Sequence, residues 1–179
     1  MTVKGGIKES QSEQVMRVEY GAAKPTITIR QYCTADAMST WKLFYHTIHH
    51  VNSMDYSLKQ VTAWAPDEFD LSVWQQKMDR IAPFIAEIQG VIVGYADLQE
   101  DGYIDHFFCH HEYQGMGVGK ALMQHIFMQG QLAGIMRFYS DVSLTAKMFF
   151  HHFGFQVDKQ QEVLIRGETL TNFKMVKLV

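Results

Sequence analysis

The chain has 179 residues, 47% of them apolar, and a formal charge of −3 at pH 7. That is enough apolar material for one core and points to a single domain; with no basic patch or tail, nucleic acid and acidic membranes are excluded as main partners. The two cysteines, Cys33 and Cys109, stand far apart without CxxC spacing, which excludes a disulfide framework or zinc ribbon and fits a reducing cytoplasm.

Residues 1–25 are mostly polar and hold no apolar run of the length a signal peptide or membrane span needs. A flexible extension is expected there, followed by one folded domain over 26–179. "TITIRQY" alternates in strand fashion. Across 35–51, Met38, Trp41, Tyr45 and Ile48 fall on one helical stripe, with Thr34 as the expected cap. "SLKQVTAW" opens with Ser57 and Gln60 at capping-box spacing and stops at Pro66, and a further short helix follows around "LSVWQQKMDRI". These segments supply two helical units. Residues 83–110 read as three consecutive strands, a meander broken at Gln89-Gly90 and at Glu100-Asp101-Gly102.

A glycine-rich stretch, "HEYQGMGVGKALM" at 111–123, leads into a helix in which Val118, Leu122 and Ile126 recur at one-turn spacing. "MRFYSDV" is a strand. In "SLTAKMFFHHFGF", Ala146, Phe149, Phe150 and Phe153 repeat at helical spacing and Gly154 stands where a left-handed cap belongs. Two strands around Gly167 close the chain. The order βααβββαβαββ describes an α/β (α+β) fold, a mixed and mostly antiparallel sheet with helices on both faces.

Gly115, Gly117 and Gly119 join a strand to a helix, so loop amides and the positive helix end converge on one place, which attracts an anion such as a pyrophosphate. Glycine there lets phosphate oxygens approach the backbone. A Walker loop is excluded because Ala121 follows Gly119-Lys120 where a hydroxyl is needed and Gln114 replaces the first glycine; a Rossmann fingerprint is excluded because Lys120 stands where its third glycine belongs.

These residues resemble the GNAT superfamily of acyl-CoA-dependent N-acetyltransferases. Its Gln/Arg-x-x-Gly-x-Gly/Ala motif is met by Gln114, Gly117 and Gly119, and its Ala-x-x-x-Tyr-x-x-x-Gly-Phe block by Ala146, Phe150, Gly154 and Phe155. "SLTAK" with the following phenylalanines is similar, more narrowly, to the YafP-like bacterial group. The resemblance implies acetyl-CoA as cosubstrate. It implies a strand, "IDHFFCH", that splays from its neighbour and offers the backbone of Phe107, Phe108 and Cys109 to the pantetheine arm. Gly115, Met116, Gly117, Val118, Gly119 and Lys120 would wrap the pyrophosphate, and Ser143 stands where many members have a cofactor-touching asparagine.

Phe150 departs from the pattern, standing where many relatives have a tyrosine that protonates the leaving thiolate. Tyr139 is the substitute acid to consider; the other view is that none is needed, because an alkyl thiol of pKa about 8.5 gives a tolerable leaving group. Asp105 is the candidate base, with an apolar surround of Ile104, Phe107 and Phe108 expected around it. The pairs His49/His50, His110/His111 and His151/His152 resemble ligand material, but neighbours on a strand or helix point apart, so no metal site is expected. Trp41, Trp64 and Trp74 read as core, with an acceptor pocket as their second reading. Two functions remain: transfer of acetyl to a primary amine of a small molecule or peptide by direct attack, and a catalytically weak acyl-CoA sensor. A homodimer stays open beside a monomer.

Overall fold

The structure is a computed structural model describing residues 25–179; the expected extension, apart from Pro25, lies outside the described residues. Their order is β1 (Thr28–Gln31), α1 (Ala37–His50), α2 (Leu58–Trp64), α3 (Leu71–Ile81), β2 (Phe84–Ile88), β3 (Val91–Ala96), β4 (Tyr103–Ile104), β5 (Phe107–Cys109), α4 (Val118–Leu132), β6 (Arg137–Ser143), α5 (Lys147–His152), β7 (Gln156–Ile165) and β8 (Glu168–Leu178). No helix among the described residues is long and apolar enough to cross a membrane.

The third strand of the expected meander is broken in two. β2, β3 and β5 run antiparallel as the turn signals required, whereas β4 pairs with β6 in parallel. Two four-stranded sheets result, ordered β1-β2-β3-β5 and β4-β6-β8-β7. The chain changes sheets at Asp105–His106, where Asp97 holds it: the His106 N–H donates to Asp97 Oδ1 at 2.6 Å, and the Asp97 N–H donates to the His106 carbonyl at 3.1 Å.

Helices cover the first sheet from both sides. Val118, Leu122, Met123 and Ile126 of α4 pack with Ala86, Val93 and Phe138 on one side. On the other, Trp41, Phe44 and Ile48 of α1 join Trp74 and Met78 of α3 over Ile85 and Tyr95. Full burial of such side chains contributes about 1.5–3 kcal/mol each, so these two layers fix where the helix ends sit.

The buried face of α1 is rotated from the expected stripe. Trp41 and Ile48 are core, but Met38 is 39% exposed and Tyr45 only half-buried, while Leu43 and Phe44 are buried. The helix is wedged between the sheet and α3, and a helix contacted from two directions hides a broader arc than a single stripe. Thr34 does not cap it: Thr34 opens a 3-10 turn, its Oγ1 donates to Asp79 Oδ1, and Asp36 stands at the N-cap. The capping box of α2 does form, with the Gln60 N–H donating to Ser57 Oγ and the Ser57 N–H to Gln60 Oε1. At the end of α5 the Phe155 and Gly154 N–H groups donate back to Phe150 and His151, a Schellman closure sealed by the Phe150–Phe155 ring contact at 5.1 Å.

Candidate active site

β4 pairs with β6, but β5 follows the other sheet, and a cleft of about 1460 Å³ opens where the two sheets part, lined from β5, β6 and the starts of α4 and α5. The backbone of β5 alternates across this opening. The His106 carbonyl and the His110 N–H bond toward β3, so Phe108 faces β3 as well, and the polar groups of Phe107 and Cys109 face away from it. The Cys109 carbonyl is already engaged by Thr47 Oγ1 at 3.0 Å and Gln114 Nε2 at 2.9 Å. The expected three-residue backbone edge therefore narrows to Phe107 and the Cys109 N–H; Phe108 contributes its ring, edge-on to Phe44.

At the far end of β5, a 3-10 turn over His111–Tyr113 leads through Gln114 to the glycines. Gly117, the α4 N-cap, has φ +93, a left-handed conformation that costs other residues energy. The first bond into the helix runs from the Ala121 N–H to the Gly117 carbonyl, which leaves the N–H groups of Val118, Gly119 and Lys120 without intrahelical partners. Gly119 serves a different need: a Cβ there would stand 3.0 Å from the Phe149 ring and 3.5 Å from Cys109 Sγ. Close packing of α4 on α5 requires it. Gln114, Gly115, Gly117, Val118, Gly119 and Lys120 all line the cleft, whereas Met116 does not and is 38% exposed. Ser143 lines it too, its Oγ accepting from the Ala146 N–H at 3.1 Å. Phe150 reaches the lining from the core and packs edge-on to Phe107.

Asp105 sits at the sheet crossing and faces the cleft, its side chain 27% exposed. Its surround is polar, contrary to expectation. Lys77 Nζ of α3 lies 3.3 Å from Oδ2, the Tyr103 hydroxyl donates to Oδ1 at 3.5 Å, and His106 Nε2 is 3.9 Å away. Ile104 instead enters the α4 core and Phe107 packs on Phe149. The His106 ring is buried between Phe44 and Trp74, with Nδ1 3.0 Å from the Tyr95 hydroxyl. Burial, aided by the Lys77 charge and opposed by Asp105, pushes its pKa down to about 3 and keeps it neutral. Burial likewise pushes the Cys109 thiol up to about 12.

Tyr139, the substitute acid, stands outside this lining. Its hydroxyl donates to Asp101 Oδ2 and its ring stacks on Tyr103 at 5.0 Å; Asp141 and Ser143, further along the same side of β6, do line the cleft, so position along the strand separates Tyr139 from it. Lys77 and His106 were not singled out in the sequence. Neither carries a motif, and their meeting with Asp105 depends on how α3 lies over the sheet crossing. Trp41, Trp64 and Trp74 all line the cleft, together with Phe69, Glu68 and Asp70. The expectation that adjacent histidines point apart fails at His110 and His111, whose rings stack at 4.5 Å because the turn after β5 does not alternate sides.

A family profile described as "Acetyltransferase (GNAT) domain" matches residues 52–177. The uncharacterized N-acetyltransferase YafP of Escherichia coli (strain K12) is 35% identical over 149 residues, covering 83% of this chain and 94% of that protein. A crystal structure of a GCN5-related N-acetyltransferase from Rhodopseudomonas palustris superposes with a TM-score of 0.82 at 30% identity, covering 88% of this chain and 97% of the other. The fold is also that of yncA from Salmonella typhimurium, a putative acetyltransferase solved with its cofactor acetyl-CoA, at TM-score 0.63 and 19% identity over 86% of this chain and 94% of that one. With the profile and the first two relatives spanning most of the sequence, this chain belongs to the GNAT family of N-acetyltransferases.

Proposed function

We propose that this protein transfers an acetyl group from acetyl-CoA to a primary amine of a small molecule or peptide by direct attack, in a reducing cytoplasm. The observation that carries the reading is the convergence, in one cleft, of a strand edge left unpaired among the described residues at Phe107 and the Cys109 N–H with the N–H groups that open α4. The first suits an amide-bearing pantetheine arm, which can add as a strand, and the second suits a pyrophosphate. Acetyl-CoA, when bound, supplies a thioester carbonyl at the point where the sheets part. Asp105 takes the proton that an acceptor ammonium must lose before its nitrogen attacks. The acceptor enters past Trp41 and Trp74, with Glu68 and Asp70 at the mouth to attract its positive charge. The free thiols of Cys33 and Cys109 support the cytoplasmic assignment.

A second reading, an acyl-CoA sensor, is favoured by Phe150: it is 2% exposed and has no proton to donate, and Tyr139 is turned away. Thiol release against a panel of amines, polyamines, amino acids, aminoglycosides and peptides separates the two. Acceptor-dependent release is expected; tight acetyl-CoA binding without release across the panel would favour the sensor. Where solvent protonates the thiolate, Phe150→Tyr should change kcat by less than about fivefold, since no acid step is there to be rescued. A gain of about a hundredfold would mean that the wild type lacks a required acid.

A further inference from the structure

His110, His111 and Glu112 place their ligand atoms within 4.8 Å of one another. Consecutive residues of a strand could not do this; the 3-10 turn gathers them. The last turns of α1 face the same spot. The His50 ring lies on that of His111, centroids 4.2 Å apart and nearly parallel, and His46, one turn earlier, is 5.9 Å from His111. None of these five residues lines the acyl-transfer cleft.

We propose that His110, His111 and Glu112 bind a divalent transition-metal ion of the Zn2+ class, with His50 completing the set by a turn of its ring out of the stack on His111. Three imidazoles and one carboxylate make a tetrahedral donor set for zinc, and too few oxygens for Ca2+ or Mg2+. Ring nitrogens are ready for the role. His50 Nδ1 lies 2.8 Å from the His46 carbonyl, to which it donates, so Nε2 carries the free lone pair; this is the carbonyl-anchored tautomer that metal-binding histidines adopt. His111 Nδ1 and His46 Nδ1 are buried with no hydrogen-bond partner among the described residues, a cost that coordination of His111 would relieve. His110 is held by a long contact, the Glu112 N–H donating to its Nδ1 at 3.3 Å, which ligation can replace. A bound ion would tie the end of α1 to the segment just before Gly115, and so brace the glycine loop.

The test is zinc titrated into the untagged full-length protein, in competition with a chromogenic chelator and without acetyl-CoA, so its outcome does not depend on acyl transfer. One equivalent should bind. His111→Ala should weaken it at least ~tenfold and the exposed Glu112→Gln about threefold, while His151→Ala, in the separate pair on α5, should leave it unchanged. Absence of stoichiometric zinc binding, or affinity that Glu112→Gln and a folded His111→Ala both leave at the wild-type value, would overturn the site. Should His111→Ala fail to fold, Glu112→Gln decides alone.

Discussion

Asp105→Asn is expected to lower turnover about a hundredfold while leaving acetyl-CoA affinity within about twofold, the loss usual for a general base whose removal spares the binding surface. An acceptor amine is an ammonium at neutral pH, and the cleft residues nearest the parting of the sheets offer few groups that can take its proton. His106 is buried, neutral and bonded to Tyr95; Tyr103 is pushed upward by burial and the nearby carboxylates; Lys77 is a cation. Asp141 also lines the cleft, but its carboxylate accepts from Gln161 Nε2 at 2.7 Å and from the Tyr103 hydroxyl at 3.3 Å, whereas Asp105 adds to a part-exposed carboxylate a place in the segment that leads directly into the unpaired strand edge. Asparagine keeps the shape and the Tyr103 contact but cannot take a proton. A mutant that keeps most of its turnover at neutral pH would reduce Asp105 to a partner of Lys77. Glu87 is then no substitute, since it lies outside the cleft lining and is bound by Arg30 at 2.7 Å.

Local rules carried much of this fold. The Ser57–Gln60 capping box, the Gln89-Gly90 hairpin and the Gly154 helix stop each depend on a few neighbouring residues, and each forms. The cleft was legible for the same reason, because the glycine loop and the strand before it are one continuous segment. What the sequence could not express were meetings between distant segments. A strand that changes sheets after two residues has the same alternation as one that does not, so the break between Ile104 and Phe107 was invisible. Lys77 meets Asp105 only because α3 crosses above that break. The distance of Tyr139 from the cleft follows from its place along β6, and the histidine cluster joins the distant α1 to the turn after β5.

Gly117→Val is expected to weaken acetyl-CoA binding about thirtyfold, close to 2 kcal/mol, in a protein that remains folded. The glycine holds φ +93, where a β-branched residue is strained by about 1–2 kcal/mol. A valine there would press the loop out of that conformation and turn away the N–H groups that open α4. Space is not the obstacle, because a Cβ at 117 would meet only Ile27 Cδ1, at 3.9 Å. The effect should thus fall on the anion site and not on the core; at Gly119 a Cβ would crowd Phe149 and confuse the two. Calorimetry with acetyl-CoA measures the loss, and turnover with S-acetylpantetheine, which lacks the pyrophosphate, identifies its cause. The variant should use that truncated donor nearly as well as the wild type does, since the edge at Phe107 and Cys109 is untouched. Unchanged acetyl-CoA affinity, or an equal loss with both donors, would remove the phosphate from the loop and return these glycines to the role of a turn.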